Sequence, residues 1–372
     1  MKAIFPGLLM FLSGCAGTVT VKPPPNPTAD LSRGHGHYHP PPPRNPPAPP
    51  PMPQLVGQGS DVLMNVVGTD VIVGFVASDG SHILDVAQGT TTVYPGGLND
   101  LENGVALTEI SSDTVPTQFF LNGTLVASEI NNEPAVIAAP NIAWLNASVY
   151  VSNQSAPLFA GPGNYVGLAA SGSEIAWVVE NNTCVVYLNS VVVANDTTGC
   201  PDSLKVTVAN SILYVGWSDG AAVFVAQSTD GNTWTLNNPF SGGSQVFGAD
   251  YAVRADGSLL IVWSQFVDGE AGSSVWESDA GGLPLRLSPP VRTGFSGAGN
   301  PAVAADGSVA WLDDVNGSVS GHYDVFLNGI DLSNLDEAID QGPVLRLLPN
   351  GTRVVAWGDD TNVWIEQLPA PR

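Results

Sequence analysis

Acidic residues recur at one place in a repeating pattern along this chain. Asp79, Glu180, Asp219, Asp268, Glu270, Asp313, Asp314, Asp359 and Asp360 each stand a few positions beyond the end of a short apolar run. Carboxylates at equivalent places of a repeat repel one another, and a hard divalent cation relieves that repulsion while gaining oxygen ligands. Asp313-Asp314-Val315-Asn316-Gly317 and Asp359-Asp360 are therefore candidate Ca²⁺ loops, with Asp313, Asp314, Asn316, Asp359 and Asp360 as ligands. Glu180, Asp219, Asp268 and Glu270 extend the series into a candidate binding surface for a cationic partner. The competing reading is that loops of an acidic protein are simply acidic. The formal charge is −23, and seven Lys and Arg face 33 Asp and Glu after Pro53. Such a balance repels nucleic acid and anionic lipid.

Arg254 and Arg346 lie at even offsets from neighbouring turns, which places their side chains on a common face. Two guanidiniums near one axis can hold a carboxylate, with pairing to local acids as the simpler alternative. Other catalytic constellations are missing from the sequence. There is no Gly-x-Ser-x-Gly elbow, no His-Glu-x-x-His and no phosphate loop, and beyond the first 53 residues the only histidines are His82 and His322. Lone histidines on β loops read as surface residues. The absences favour a binding protein over an enzyme and leave the enzyme reading open.

The elements that must position these residues are strands. After Pro53 the chain is Val, Ile, Ala, Thr and Trp broken by Gly, Asn and Asp, with no helical period. One unit recurs: an apolar strand, a tight turn, and a second apolar strand ending near an aromatic. The turns fall at Gly68, Asn103, Asn141, Gly172, Asn210, Asp256-Gly257, Asp306-Gly307 and Asn350-Gly351. The strands after them reach Phe75, Glu109, Trp144, Trp177, Trp217, Trp263, Trp311 and Trp357. A second hairpin follows in the same form at Phe119 to Gly123, Tyr187 to Ser190 and Val325 to Gly329. Four strands per roughly 40 residues predict an all-β fold, a β-propeller of four-stranded antiparallel sheets. The count is eight blades, with seven admissible because the early units are short. Two stacked β-sandwiches fit worse, since they would share no common 40-residue unit. The last unit, Pro343 to Leu368, has room for three strands only, so Leu55 to Gln58 is expected to close the ring.

The N-terminus reads differently. Lys2, the apolar run Ala3 to Phe11 and Leu12-Ser13-Gly14-Cys15 resemble the lipobox of bacterial lipoproteins. The resemblance implies a signal peptide over 1–14, acylation at Cys15, and membrane anchoring through acyl chains in the cell envelope. Ala16 in place of Asp favours the outer membrane, facing the periplasm or the cell surface. Residues 23–53 contain 14 prolines, which predicts a stiff polyproline tether. At roughly 3.1 Å per residue it reaches up to about 95 Å. The domain organisation is thus 1–14 signal, 15–53 lipidated tether and 54–372 propeller. His35, His37 and His39 could share a metal, but no local carboxylate or cysteine completes the set. An exported compartment is oxidising, so Cys184 and Cys200 are expected to form a disulfide.

Ser228-Thr229-Asp230-Gly231-Asn232-Thr233-Trp234 resembles the Asp-box of sialidase-type BNR repeats, one residue short of the usual spacing. In that family the Asp ties a turn between outer strands and the Trp packs beneath it, away from the catalytic face. Ser278-Asp279-Ala280-Gly281-Gly282 is a weaker echo. A sialidase also needs an arginine cluster, a tyrosine nucleophile and acidic partners, and no arginine here sits in the family's opening motif. The reading is a lipid-anchored envelope propeller that binds or scaffolds a protein or glycan. The alternative is a sialidase-like glycan-processing enzyme.

Overall fold

The structure is a computed structural model. It describes residues 52–370 except 113–114, 130–133, 162, 182, 197–198, 202, 242–244, 268–269, 271, 280–281, 290–296, 315–322, 334–338 and 360. Cys15, the histidine-containing tether, Asp268, Asn316 and Asp360 lie outside the described residues.

Every described element is a strand, and the strands form eight antiparallel sheets. Blade 1 spans Ser60 to Tyr94, blade 2 Gly97 to Glu129, blade 3 Ala135 to Val151 and blade 4 Asn164 to Asp196. Blade 5 spans Ser203 to Ser241, blade 6 Val246 to Arg286, blade 7 Gly299 to Asp331 and blade 8 Ile339 to Leu368. Within each blade the strands pair in sequence order from the innermost outward, and the innermost strands pack side by side in a closed circuit. Eight blades, not seven, is the count.

Ring closure follows the expected route. The fourth strand of blade 8 is the N-terminal segment Gln54–Gln58, paired antiparallel with Asn362 to Ile365. Joining the two ends of the domain in one sheet leaves no unpaired edge between first and last blade. Blade 3 departs from the four-strand plan. It has three strands, and the segment after Val151 crosses back so that Phe159 bridges to Val149 and packs its ring against Trp177 and Tyr187. Its first turn is Ala139–Pro140, with Asn141 already in the second strand, a small shift from the position predicted.

Each blade seam is filled by the anchors named from sequence. Trp177, Trp263 and Trp357 are fully buried, and Phe75, Trp144, Trp217 and Trp311 nearly so. Each sits in a cluster with the preceding blade: Trp263 lies among Tyr214, Val223 and Val225 of blade 5, and Trp357 among Val325 and Leu327 of blade 7. The register then adds a rule that spacing alone did not reveal. The residue directly across from the anchor, on the third strand, is His82, Phe119, Tyr150, Tyr187, Phe224, Trp276, Phe326 or Trp364, going from blade 1 to blade 8. Ring pairs such as Trp177–Tyr187 and Trp311–Phe326 stack with centroids 5.7 and 5.8 Å apart. Blades 1 and 2 break the rule, with His82 as the partner ring in one and Glu109 as the anchor in the other. Glu109 accepts a hydrogen bond from the Asn99 amide at 2.8 Å, and the seam between these two blades holds the smallest buried cluster, Ile83, Leu101 and Ala106.

The second hairpins explain their repeated asparagine. Asn122, Asn189 and Asn328 adopt positive φ, as a two-residue hairpin turn requires and Asn tolerates. Each side-chain carbonyl then accepts from a backbone N–H of its own blade's second strand: Ala106 at 2.9 Å, Ile175 at 3.0 Å and Val309 at 2.8 Å. The asparagine therefore caps an otherwise unpaired donor as well as making the turn.

Candidate binding face

Two sets of loops share one end of the ring: those joining second to third strands, and those passing from each outer strand to the next blade. The acidic series falls in the first set. Asp79 and Glu180 are exposed, and Glu180 receives the Asn164 amide at 3.5 Å. Asp219, Asp313, Asp314 and Asp359 are buried and bonded within the fold. Asp219 accepts from the N–H groups of Ala221 and Ala222 at 3.0 and 2.7 Å. Asp359 accepts from the N–H groups of Thr361 and Asn362 at 2.8 and 2.6 Å and from the Trp364 indole at 2.8 Å. Asp313 accepts from the Trp311 indole at 3.3 Å, and burial pushes its pKa up to about 6.

Asp219 and Asp359 thus cap tight turns at equivalent positions of blades 5 and 8. Among the described residues no group of three or more His, Cys, Asp or Glu side chains is placed to hold a metal ion. Of the expected Ca²⁺ ligands, Asp313, Asp314 and Asp359 are described, and Asn316 and Asp360 are not. Glu270 is engaged differently. Its two oxygens take a forked pair from Arg286 at 2.5 and 2.7 Å, and the same guanidinium donates to the Ser288 carbonyl at 3.0 Å. This ties the blade 6 loop to the chain leading into blade 7.

The two arginines expected on one face are apart. Arg254 falls one residue past its strand, in the turn at the opposite end of blade 6, where it pairs with Asp279 at 2.5 Å. Arg346 stays on the innermost strand of blade 8, open to solvent yet ringed by protein, the position of a channel-lining residue. That enclosure lowers its pKa, against the pull of Asp250 and Asp100. Arg353 donates to the Pro369 carbonyl at 2.8 Å. No arginine cluster forms among the described residues, so the constellation that a sialidase-like enzyme needs is not assembled there.

Asp100 and Asp250, which sequence reasoning passed over, stitch the channel wall. Asp100 accepts from the N–H of Leu101 at 2.7 Å and from Ile137 of the next blade at 2.7 Å. Asp250 repeats the device with Tyr251 at 2.8 Å and Val303 at 3.0 Å, and pairs with Lys205 of the blade before it. Their common motif, an Asp before an apolar residue on an innermost strand, was the available signal.

The turn at Ser228 to Trp234 lies on the opposite end of blade 5. Asp230 accepts from the N–H groups of Asn232 and Thr233 at 2.8 and 2.7 Å, which brings its pKa down to about 2, and Trp234 packs on the core cluster shared with blade 4. Cys184, at the start of the third strand of blade 4, is disulfide-bonded to Cys200 in the chain leading to blade 5, with Cα atoms 5.1 Å apart.

Among the described residues, the channel, the acidic loops and a cleft at the blade 8–blade 1 seam are features of this face able to meet a ligand. The cleft is about 920 Å³ and is lined by Gln58, Asp79, His82, Thr91 and Thr361 over Phe75.

No known protein-family model and no curated protein matches the chain. Among solved structures it is similar to BamB from Moraxella catarrhalis, at 13% identity over 84% of this chain and 99% of that one, with a TM-score of 0.48. It is also similar to the WD40 β-propeller domain of Doa1, at 14% identity over 84% and 96% of the two chains, TM-score 0.42. A thermostable family-43 glycoside hydrolase overlaps 57% of this chain and 91% of its own at 15% identity, TM-score 0.34. At these identities the likeness concerns the fold alone.

Proposed function

We propose that this chain is a lipid-anchored binding module of a bacterial envelope. In this reading Cys15 carries the acyl chains and residues 15–53 are the tether. The propeller presents its acidic loops to a basic protein partner. The observation that carries it is the state of the charged groups. The described arginines are engaged in structural contacts, Arg346 with the Leu345 carbonyl at 2.9 Å, whereas Asp79 and Glu180 stand exposed on the loop face of a chain with formal charge −23. A surface of one sign steers an oppositely charged partner and loses that advantage as salt rises.

The test is affinity capture from intact envelopes with the full lipidated chain as bait. The expected result is a basic protein captured at low salt and released at about 0.5 M salt, where screening is nearly complete beyond a few ångströms. Capture should weaken in the double variant Asp79→Asn, Glu180→Gln. Failure to capture any protein, or capture indifferent to both salt and the double variant, would contradict the reading. The anchor is checked separately. Mass spectrometry of the mature N-terminus should show an acylated Cys15, and Cys15→Ala should release the chain from membranes. An unprocessed Met1 in the envelope fraction would refute the anchor.

A further inference from the structure

We infer that the cleft between blades 8 and 1 is a binding site for a neutral saccharide, a site that shares Asp79 with the acidic surface of the protein-binding reading above. The inference begins with the break in the aromatic rule. In the other seven blades the third-strand partner is Phe, Tyr or Trp, and in blade 1 it is His82. His82 still stacks on the buried anchor Phe75, centroids 5.2 Å apart, but a five-membered imidazole covers less of the seam than the rings elsewhere.

The facing strand of blade 8 keeps the opening. Gly57 and Gly59 cannot carry side chains, because a Cβ at either would fall 2.2 Å from the Phe75 ring or the Val76 carbonyl. The strand therefore lies flat on Phe75 with no side chain from these two positions to fill the seam above it. A local departure from a rule kept elsewhere in a repeat is where a functional constraint is expected.

The lining selects the ligand class. His82 Nε2 lies 2.7 Å from Asp79 Oδ1, which orients the imidazole. Around this pair stand the exposed Gln58 amide and Thr91 hydroxyl, with Thr361 at the rim, its hydroxyl donating to Asp359 at 3.0 Å, and no lysine or arginine is among the lining residues. The one formal charge is the negative Asp79, so phosphates, uronates and sialic acids are repelled. The half-buried His82 ring with donors and acceptors around it matches a molecule that offers both kinds of hydrogen bond and an apolar ring face, which describes a neutral sugar. The cleft volume is that of a drug-sized ligand site, enough for a short oligosaccharide.

Calorimetric titration of the full chain with maltotriose, cellotriose, mannotriose and triacetylchitotriose, and with sialyllactose and spermidine as charged comparators, tests this. At least one neutral trisaccharide should bind with Kd below about 1 mM and lose about tenfold or more in both His82→Ala and Thr91→Trp. Thr91 sits on the exposed outermost strand, so its variant fills the cleft without touching the core. Leu285→Ala, on the outer strand of blade 6, should leave binding unchanged. Failure of all four neutral sugars to bind would overturn the inference. So would binding confined to a charged comparator, or binding that survives both cleft variants. Thr91→Trp blocks the cleft and keeps Asp79 and Glu180, so envelope capture by this variant stays at the wild-type level, and failure of the saccharide site is distinguishable from failure of the protein-binding reading.

Discussion

Trp263→Ala is expected to destabilise the domain by about 3–5 kcal/mol, the range for deleting a fully buried aromatic. Trp263 has no exposed surface, fills the seam with Tyr214 and Val225 of blade 5, and donates its indole N–H to Gln265 at 2.7 Å. Removing the ring leaves a cavity between two blades and strands the Gln265 acceptor. Seams are shared, so the loss should spread to both neighbours rather than unfold one blade. Leu285→Ala, more than half exposed, should change stability by less than about 0.5 kcal/mol. Chemical denaturation of both variants checks the contrast. Equal, small effects would mean that the ring stack is not what holds the seams.

Stability should also fall as pH rises from about 5 to 7.5, opposite to the behaviour of proteins whose carboxylates are stabilised by partners. Glu366, on the third strand of blade 8, is 2% exposed, and neither carboxylate oxygen has a hydrogen-bond partner. Burial pushes its pKa up to about 7, and that of Asp313 up to about 6. A carboxyl raised in this way holds its proton more tightly in the folded than in the unfolded chain. Its contribution is fully present below the unfolded pKa, declines as pH climbs to the folded value, and is flat above it. For Glu366 the total is roughly 3 kcal/mol across pH 4.3 to 7, on the order of several degrees in Tm. Asp230, held down near 2, acts only below about pH 4 and with the opposite sign. Glu366→Gln should therefore raise Tm at pH 8 and flatten the profile. A slope unchanged in Glu366→Gln would refute the assignment.

Much of this architecture was readable because a propeller repeats what it needs. Turns at Asp-Gly and Asn-Gly, a tryptophan near the end of six of the eight second strands, and a last unit one strand short are local features. They led to eight blades and to closure by Leu55 to Gln58, which the structure extends by one residue to Gln54–Gln58. Features that depend on contact between blades were not legible. Arg254 and Arg346 share a spacing from their turns, yet one falls just outside its strand and turns to Asp279 while the other stays in the channel. In the acidic series, Asp219 and Asp359 spend oxygens on neighbouring N–H groups of their turns, a side-chain-to-backbone contact that spacing does not announce. His82 read as a lone surface histidine because its slot is defined by a partner across the sheet, and only the strand register shows that it stands where the other blades place a carbon ring. The three-stranded form of blade 3 likewise depends on Phe159 returning to Val149, which no local pattern announces.

Both the loop face and the seam cleft depend on the ring being closed by its own N-terminal strand. Hydrogen exchange of the full chain, followed peptide by peptide, tests that closure most directly. The account predicts that amides within Gln54–Gln58 that pair with Asn362–Leu368 are protected to the same degree as that strand, and that they become exchangeable together with it under mild denaturant. Rapid exchange across 54–58 while 362–368 remains protected would show an open ring, and would contradict it.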